Sequence, residues 1–383
     1  MVKVNKDRDF DGQIVLISSS SAAVGVSTHV YNLAKMLHSA GKIDIVVCPD
    51  LGWLTDRLKD CGIPYTVMQM SYRPATFAVS AVSMLKFVQS RPSKSIIHLH
   101  GRCPLFLSGL SMLLNPEMPF VATVHQFSQA GRPGICGWKT HMETLFLKHV
   151  KRICCVSEAL RNETILRIGL GRSSRVQTIP NWIEPFWHQK ALCDTGPPPR
   201  RDGGRRRICG IGRLVRDKGF DILITAIAGL KTRGYNVICD IYGDGPEAED
   251  LNRQIFALGV SESVVLSGVE NNVRRVLVNY EILVIPSRTE SFGITALEAF
   301  DASVPVVASD IEGLRELVIH GYSGMCFKSE DPNSLANALE DLLEDTDIRQ
   351  SVISNGYKVL DKHLPGDAFL QEYREFYARS LKA

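Results

Sequence analysis

The sequence predicts an α/β protein built from two doubly wound parallel-sheet domains. Its 383 residues, of which 45% are hydrophobic and 22% charged, are enough chain for two separate cores. Short apolar runs alternate with amphipathic segments from Gln13 to about Pro180, and the same alternation restarts near Arg207. This pattern is typical of parallel sheets covered by helices. Between the halves lies ALCDTGPPPRRDGGRRR, a segment dense in proline, glycine and arginine that is typical of a hinge or an exposed loop.

The first half contains six strand candidates, each a short apolar run. They are QIVLIS, IDIVVC, SIIHLH, FVATVH, RICCVS and VQTIP. A helix is predicted between the first two because apolar residues recur there at helical spacing, and Gly41 then supplies a stop signal. The apolar positions are Val26, Val30, Leu33, Ala34 and Leu37.

The second half repeats this arrangement. Its strand candidates are RICGIG, NVICDIYG, VVLSG, EILVIP, VPVVAS and GMCF. A helix after the first of them is indicated by one apolar stripe, formed by Phe220, Leu223, Ala226, Ile227 and Leu230. Further on, Asp331 followed by Pro332 has the pattern of a helix N-cap with proline at the first helical position.

These patterns set the predicted domain boundaries. The N-terminal domain extends over residues 1–190, the linker over 191–206 and the C-terminal domain over 207–363. The terminal segment 364–383 is predicted to be a helix with an aromatic stripe, which can pack across both domains.

Composition narrows the class of protein. A net charge of +3 is small for this length, so we expect no nucleic-acid partner, although a local basic patch could face an anionic ligand or a membrane. The first residues lack the apolar core of a secretory signal, and the run LFLSGLSMLL is about half of the roughly 20 residues that a membrane span needs. We therefore expect a cytoplasmic protein, or one attached peripherally to the inner face of a membrane.

The ten cysteines are expected to be free. No CxxC pair occurs, and five cysteines lie in or beside apolar strand-like runs: Cys48, Cys154, Cys155, Cys209 and Cys239. Buried thiols are therefore favoured over disulfides and over metal or redox sites.

Two loops that follow predicted strands have the residues to bind an anion. In ISSSSAAVGVSTH, small residues and Gly25 lie between a strand and a helix, so the backbone can approach a phosphate or sugar, although a tight turn explains the pattern equally well. In GIGRLVRDKGFD, Arg213 lies at the strand end and Lys218 just before the helix. Two cations at one loop can hold a diphosphate as charge develops on it, and an ordinary surface pair is the alternative.

A third loop, SRTESFGITALEAF, combines carboxylates with a helix start. The amides of Phe292, Gly293 and Ile294 can be presented to an anion, while Glu290 and Glu298 can accept hydrogen bonds from hydroxyl groups. Because carboxylates repel phosphates, such a loop suits a ligand with hydroxyls at two places and an anion between them. A nucleotide sugar, with its ribose, diphosphate and hexose, has this form.

Taken together, GRLVRDKG, IYGDGP, ESFGITALEA, VPVVASDIEGLRELV and GYSGMCF resemble the retaining glycosyltransferases of family 4, which are also called glycosyl transferases group 1. The resemblance extends through GVSTHVYNLAKMLHSAG, IIHLHG, VATVHQ, CCVSEALR and TIPNWIEP in the first half. It implies the GT-B fold, with two Rossmann-like domains facing a cleft, a nucleoside-diphosphate sugar held mainly by the second domain and an acceptor held mainly by the first.

The resemblance also implies roles for particular residues. Arg213 and Lys218 would hold the diphosphate, and Glu290 would contact the hydroxyls of the donor sugar. Glu298 would bind the ribose, and His125 would contact the transferred sugar near the reacting carbon.

The resemblance also assigns backbone positions. Gly25 would approach the diphosphate, and Gly268 and Val269 would lie beside the base. The chain departs from the family pattern where Val24 precedes Gly25 and where Glu312 precedes Gly313, because the family usually has paired glycines at both places.

No metal site is predicted. His98 and His100 alternate on a strand, but no cysteine or carboxylate cluster joins them in sequence, so a structural or cleft-lining role is favoured. The short acidic patterns at Asp7 and Asp345 are taken as chance matches. Without a metal, Arg213, Lys218 and the helix amides must stabilise the leaving group.

The sequence thus predicts a metal-independent retaining hexosyltransferase that acts on a glycan or glycolipid acceptor in the synthesis of surface glycan, lipopolysaccharide or exopolysaccharide. The alternatives are another GT-B enzyme, such as a nucleotide-sugar epimerase or a phosphorylase, and a non-catalytic two-domain binding protein. The base, the sugar, the acceptor and the oligomeric state are not specified by these motifs.

Overall fold

The computed structural model describes residues 12–22, 24–127, 137–186, 204–270, 272–364 and 367–382. The chain forms two compact units. The first extends to Asn181 and includes the terminal segment after Leu364, and the second extends from Trp182 to Leu364. Most of the linker predicted at 191–206 lies outside the described residues.

The described part of the first unit contains a seven-stranded sheet in the order β3-β2-β1-β4-β5-β6-β7, and every neighbouring pair is parallel. The strands are β1 Ile14–Ser18, β2 Ile43–Cys48, β3 Tyr65–Val67, β4 Ile96–His100, β5 Phe120–Val124, β6 Arg152–Cys155 and β7 Val176–Thr178. The six predicted strands are confirmed. Strand β3 was missed because it has three residues and none of them is buried, so no apolar run identifies it.

The helices of this unit connect the parallel strands. They are α1 Gly25–Ser39, α2 Trp53–Asp60, α3 Pro74–Gln89, α4 Arg102–Leu107, α5 Gly109–Leu114, α6 Gly137–Leu147 and α7 Glu158–Ile168. The predicted stripe of α1 is largely confirmed, since Val30, Leu33, Ala34 and Leu37 are buried whereas Val26 is only half-buried.

The second unit contains a six-stranded sheet within the described residues, in the order β10-β9-β8-β11-β12-β13, again with all pairs parallel. The strands are β8 Arg206–Ile211, β9 Val237–Tyr242, β10 Val264–Gly268, β11 Ile282–Ile285, β12 Val306–Ser309 and β13 Met325–Phe327. The helices are α8 Phe220–Thr232, α9 Ala248–Ala257, α10 Val273–Leu277, α11 Ile294–Asp301, α12 Glu312–Arg315, α13 Pro332–Glu344 and α14 Thr346–Leu360.

The apolar stripe of α8 and the N-cap of α13 are found where the sequence predicts them. The five predicted stripe residues of α8 are all buried in the core of this unit. Helix α13 begins at Pro332, and the side chain of Asp331 accepts hydrogen bonds from the amides of Asn333 and Ser334 at 3.1 Å. A capped start and a buried stripe together fix where the helix begins and which face it buries.

Each sheet has a point at which the strand order reverses. In the first unit the chain proceeds outward from β1 to β3 and then returns to place β4 on the other side of β1. In the second unit the same reversal lies between β8 and β11. Ligands of open parallel sheets bind beside the carboxyl ends of the strands at such points, so a ligand is expected at the loops after β1, β4, β8 and β11.

The terminal helix α15, Asp367–Leu381, belongs to the first unit. Its aromatic residues Tyr373, Phe376 and Tyr377 are completely buried, and the Tyr377 hydroxyl lies 2.8 Å from His98 Nδ1. His98 Nε2 lies 2.8 Å from the Thr123 hydroxyl, which satisfies the second ring nitrogen. His98 therefore has the predicted structural role, while packing of α15 across both domains stays a prediction.

Replacing Tyr377 with alanine is expected to lower the free energy of unfolding by about 3–5 kcal/mol. The change empties a buried aromatic site and removes a hydrogen bond from His98. Urea denaturation followed by circular dichroism measures the effect. Leu381→Ala is the matched control because this residue of the same helix is 43% exposed, and we expect less than about 1 kcal/mol there. Equal losses in the two variants would show that burial of the aromatic stripe does not anchor the helix.

Candidate active site

Two predicted site residues meet at the reversal point of the second sheet. Lys218 lies in the loop after β8 and Glu290 in the loop after β11, and Lys218 Nζ is 2.5 Å from Glu290 Oε2. The side chains are 28% and 17% exposed, so both remain accessible to a ligand. The Ser287 hydroxyl also lies 3.4 Å from the same carboxylate oxygen. A cation and an acceptor of hydroxyl hydrogen bonds are therefore held side by side, and the donor contacts predicted for them stay predictions.

Arg213 adds a second cation to the loop after β8. Its side chain is exposed, and within the part of the chain that the structure describes its guanidinium has no hydrogen bond or ion pair. Glu290 balances the charge of Lys218, whereas the charge of Arg213 is not balanced by a neighbouring described group. The loop thus retains a net positive charge that can attract an anion.

The loop after β11 is fixed by an arginine that the sequence analysis did not single out. Both Nη atoms of Arg288 donate to the Asp221 carboxylate at 2.7 Å, and the Arg288 amide donates to the Asp217 carbonyl at 2.8 Å. Burial alone would raise the pKa of the Asp221 carboxyl, but the hydrogen bonds and charge of Arg288 lower it. A bidentate pair of this kind ties the Glu290 loop to the Lys218 loop.

Helix α11 begins beside Glu290 with free backbone donors. Gly293 is its N-cap in the left-handed conformation, with φ of 88°, which suits glycine. The amides of Phe292, Gly293 and Ile294 donate no hydrogen bond to any residue that the structure describes. The Phe292 ring is buried and lies 5.4 Å from the His363 ring, so this residue has only its amide to offer a ligand.

A close approach of backbones explains one departure from the family pattern. A Cβ atom on Gly313 would lie 1.8 Å from the Glu290 carbonyl oxygen, so no other residue fits there without a shift. Glu312, at the first position of the usual glycine pair, is exposed. The essential glycine of this pair is therefore present, and the substituted position tolerates a side chain.

Glu298 lies further along α11 and forms an ion pair with a different residue, Arg274. Arg274 Nε is 3.7 Å from Glu298 Oε1, and the same arginine donates to the Glu184 carbonyl at 2.5 Å. Burial raises the pKa of the Glu298 carboxyl, and Arg274 opposes this shift. Glu298 and Glu290 therefore have different partners, so the two carboxylates are positioned independently.

Gly268 and Val269 lie at the carboxyl end of the edge strand β10. Gly268 has φ of 73° and its carbonyl accepts a hydrogen bond from the Gly243 amide at 2.8 Å. The Val269 side chain is 64% exposed. This end of the strand thus offers backbone groups and an exposed apolar side chain, which suit a planar base.

The first unit has a cavity of about 170 Å³ beside the carboxyl ends of β1, β4 and β5. Its lining includes Ser19, Arg102, His125, Gln126 and Glu143. Gly25, a few positions after the lining residue Ser19, is the first residue of α1. It is exposed, and no side chain caps the helix there. The cavity therefore occupies the reversal point of the first sheet.

A partly buried ion pair lines this cavity. Arg102 Nε lies 3.0 Å from Glu143 Oε2, and the glutamate side chain is only 6% exposed. Burial raises the pKa of the Glu143 carboxyl while Arg102 opposes the shift. Neither residue was predicted from the sequence as a site residue. The position of Arg102 directly after IIHLHG was the available signal, whereas Glu143 lies in a helix with no motif.

Comparison with known families decides the class of the protein. The family model for Glycosyltransferase Family 4 matches residues 24–185, and the model for Glycosyl transferases group 1 matches residues 197–359. The chain is a family 4 type glycosyltransferase. The two matches follow one another along the chain, so the predicted family and class of enzyme are confirmed, and a non-catalytic binding protein is set aside.

Individual proteins agree with this assignment. An uncharacterized glycosyltransferase of Methanocaldococcus jannaschii is 28% identical over 304 residues, which is 75% of this chain and 76% of the relative. The GPI3 subunit of phosphatidylinositol N-acetylglucosaminyltransferase of Saccharomyces cerevisiae is 27% identical over 308 residues, or 77% of this chain and 66% of the relative. The crystal structure of Anabaena HepE with UDP and glucose has a TM-score of 0.79 at 20% identity and covers 95% of this chain and 98% of that one. The GT-B fold is thereby confirmed.

The first unit of this glycosyltransferase also contains a histidine cluster that the sequence analysis missed. His29 on α1, His100 at the end of β4 and His125 after β5 each offer a ring nitrogen, and these nitrogens all lie within 4.8 Å of one another. Burial lowers the pKa of His29 to about 4 and lowers the pKa of His100 and His125 well below the ordinary value, with neighbouring histidines adding to the effect for the latter two. The three rings are therefore neutral at pH 7.

The cluster was missed because His29 and His100 are 71 positions apart in the sequence and only the sheet order brings them together. Among the described residues of the glycosyltransferase, no helix has the length and apolarity that crossing a membrane requires.

Proposed function

We propose that this glycosyltransferase moves a hexose-type sugar from a nucleoside-diphosphate sugar to an acceptor hydroxyl, with retention of configuration and without a divalent metal ion. The observation that carries the proposal is the contact of Lys218 with Glu290, with the exposed Arg213 on the same loop as Lys218. These groups match the two adjoining parts of a donor, which are the diphosphate and the hexose hydroxyls.

Donor binding would exchange the partners of this ion pair. Lys218 and Arg213 would take the diphosphate oxygens, and Glu290 would accept hydrogen bonds from the sugar hydroxyls. The free amides of Phe292, Gly293 and Ile294 would add donors for the anion. Because the donor satisfies both members of the pair, neither charge is left without a partner when the ion pair opens.

The same groups support the leaving diphosphate without a metal. Negative charge develops on the diphosphate as the bond to the sugar breaks, and fixed cations and amides stabilise that charge. We propose that the departing phosphate assists attack from the same face, which retains configuration. His125 and Glu290 would contact the transferred sugar, and no side chain is assigned as a base.

The remaining donor contacts come from separate elements. Glu298 would bind the ribose hydroxyls, and Gly268 with Val269 would lie beside the base. Gly25, exposed at the start of α1, would let the backbone approach the diphosphate. We propose UDP as the first nucleotide to test because the named structural neighbour HepE was solved with UDP and glucose.

The acceptor would bind in the first unit, at the cavity lined by Arg102, His125 and Glu143. We propose a glycan or glycolipid acceptor, in line with surface glycan, lipopolysaccharide or exopolysaccharide synthesis. The named relative phosphatidylinositol N-acetylglucosaminyltransferase supports an acceptor carried by a lipid. Such an acceptor would place the enzyme in the cytoplasm, peripherally at the inner face of the membrane.

A thermal-shift panel of nucleoside diphosphates and their sugars tests the donor. One nucleoside diphosphate is expected to raise Tm in the presence of EDTA, because a ligand that binds only the folded state stabilises it. At a concentration of 100 times Kd the expected stabilisation is about 2.7 kcal/mol. Arg213→Ala together with Lys218→Ala should abolish the shift, while Arg253→Ala, which removes an exposed arginine of α9, should preserve it.

Product analysis separates the rival enzymes. Incubation of the selected donor with a simple alcohol or glycan acceptor should give a glycoside with the donor's anomeric configuration, measured by nuclear magnetic resonance. Release of sugar phosphate with added phosphate would identify a phosphorylase, and an isomeric nucleotide sugar would identify an epimerase. A dependence of transfer on Mg²⁺ or Mn²⁺ would contradict the metal-independent mechanism.

A further inference from the structure

The cluster of His29, His100 and His125 is compact enough to be a site in its own right. The ring centroid of His29 lies 4.8 Å from that of His125 and 5.3 Å from that of His100. His100 Nδ1 and His125 Nε2 are 3.2 Å apart. Two nitrogens bound to one tetrahedral Zn²⁺ lie roughly 3.4 Å apart, given Zn–N distances of about 2.0–2.1 Å. One pair of the cluster thus already has the separation of two zinc ligands.

His29 is oriented as a metal-binding histidine is. Its Nδ1 lies 2.6 Å from Asn181 Oδ1, and because this oxygen only accepts, Nδ1 carries the proton. Nε2 therefore keeps its lone pair, which accepts a hydrogen bond from the Tyr373 hydroxyl at 3.2 Å. A protein carbonyl that fixes the tautomer through the other ring nitrogen is the usual support of a ligating imidazole.

His100 supplies an independent sign of a missing partner. The residue is completely buried, and its Nε2 has no hydrogen-bond partner among the described residues. Among the described residues, its Nδ1 contacts the imidazole of His125 alone. Buried polar atoms nearly always have a partner, so described protein groups leave this ring incompletely satisfied, and Nδ1, which faces His125, is the nitrogen it would offer to an ion.

We propose that His29, His100 and His125 form a binding site for a divalent transition metal ion of the Zn²⁺ class. Three imidazoles without a carboxylate select Zn²⁺, Co²⁺, Ni²⁺ or Cu²⁺ over Mg²⁺ and Ca²⁺, which prefer oxygen ligands. Three protein nitrogens leave a fourth position for water or a ligand hydroxyl.

The site has an entry route and a consequence for activity. His125 also lines the 170 Å³ cavity, so an ion can reach the cluster from that side. An ion bound to His125 would compete with the contact proposed between this residue and the transferred sugar. Transfer would then be inhibited by Zn²⁺, and this inhibition, unlike the metal binding itself, rests on the proposed function.

Direct binding is tested with Co²⁺ as the probe. The full-length protein, treated with EDTA and dialysed, is expected to bind one Co²⁺ ion per chain, to show the absorption bands of a tetrahedral complex, and to release Co²⁺ when Zn²⁺ is added. His100→Ala is expected to weaken binding by at least about tenfold, since even loss of a residue that only supports a ligand costs about 10–100-fold. His29→Gln serves as a second variant if His100→Ala does not fold.

The matched control is His38→Ala, which removes an exposed histidine of the same helix as His29 and should leave Co²⁺ affinity unchanged. An octahedral spectrum, or a Co²⁺ affinity of the His100 and His29 variants equal to that of the native protein, would overturn the proposal.

Inhibition of sugar transfer by Zn²⁺ is tested in a separate experiment. Zn²⁺ in excess over the donor should reduce transfer at least about tenfold, EDTA should restore it and Mg²⁺ should not reproduce it. Co²⁺ binding without inhibition would retain the site and reject its link to the transferred sugar.

Discussion

Replacing Glu290 with glutamine is expected to reduce kcat/KM for sugar transfer by about 100-fold, the size of effect found when one preorganised polar contact to a transition state is removed. Glutamine keeps the length of the side chain but loses the charge that holds Lys218 at 2.5 Å. It also has one acceptor oxygen in place of two for the sugar hydroxyls. Steady-state kinetics with the donor found in the thermal-shift panel provide the measurement.

The matched control for this variant is Glu330→Gln. Glu330 is an exposed carboxylate that accepts from Arg288 on the same loop, at 2.6 Å, and has no assigned ligand contact. We expect its kcat/KM to stay within about twofold of the native value. Affinity for the nucleoside diphosphate without sugar should be retained in Glu290→Gln, because Lys218 and Arg213 remain. Native turnover in Glu290→Gln, or loss of diphosphate binding, would refute the contact assigned to Glu290.

Replacing Gly313 with alanine is also expected to reduce kcat/KM by about 100-fold, because it displaces the backbone of the site. The new Cβ would lie 1.8 Å from the Glu290 carbonyl oxygen, and a backbone atom cannot give way as the end of a flexible side chain can. Either α12 or the Glu290 loop must move, and a displacement of roughly 1 Å at a site can cost about 100-fold in rate. We also expect the free energy of unfolding to fall by about 1–3 kcal/mol.

Gly229→Ala is the control for the Gly313 variant. Gly229 lies within α8, and an added Cβ there meets no atom within 4 Å. Alanine in a helix interior should stabilise the protein by about 0.5–1 kcal/mol and leave kcat/KM unchanged. Chemical denaturation and kinetics on both variants separate the effect of the close approach from that of any glycine substitution. If Gly313→Ala keeps native stability and activity, the approach to Glu290 does not constrain the site.

Structural features that depend on local sequence patterns are confirmed. Apolar runs and stripes identified the predicted strands and helix α8, and Asp331 before Pro332 identified the start of α13. The contact of Lys218 with Glu290 was not predicted, and it arises because the carboxyl ends of parallel strands share one edge of a sheet.

The residues that were missed depend on contacts between distant parts of the chain. Arg288 and Asp221, which tie two loops together, are separated by 67 positions and have no motif of their own. Arg102 and Glu143 form a partly buried pair across 41 positions. A single arginine or carboxylate in a sequence is usually an exposed charge, and only its burial beside a partner gives it a role.

The sequence by itself determined the alternation of strands and helices, the two-domain α/β class and the family of glycosyltransferases, because spacing and burial patterns are properties of short segments. The tertiary structure decided which loops became neighbours. The order of the first sheet places β4 between β1 and β5, and this arrangement brings His100 to His29 and His125. Strand order depends on how whole faces pack against one another, so no short segment of the sequence encodes it.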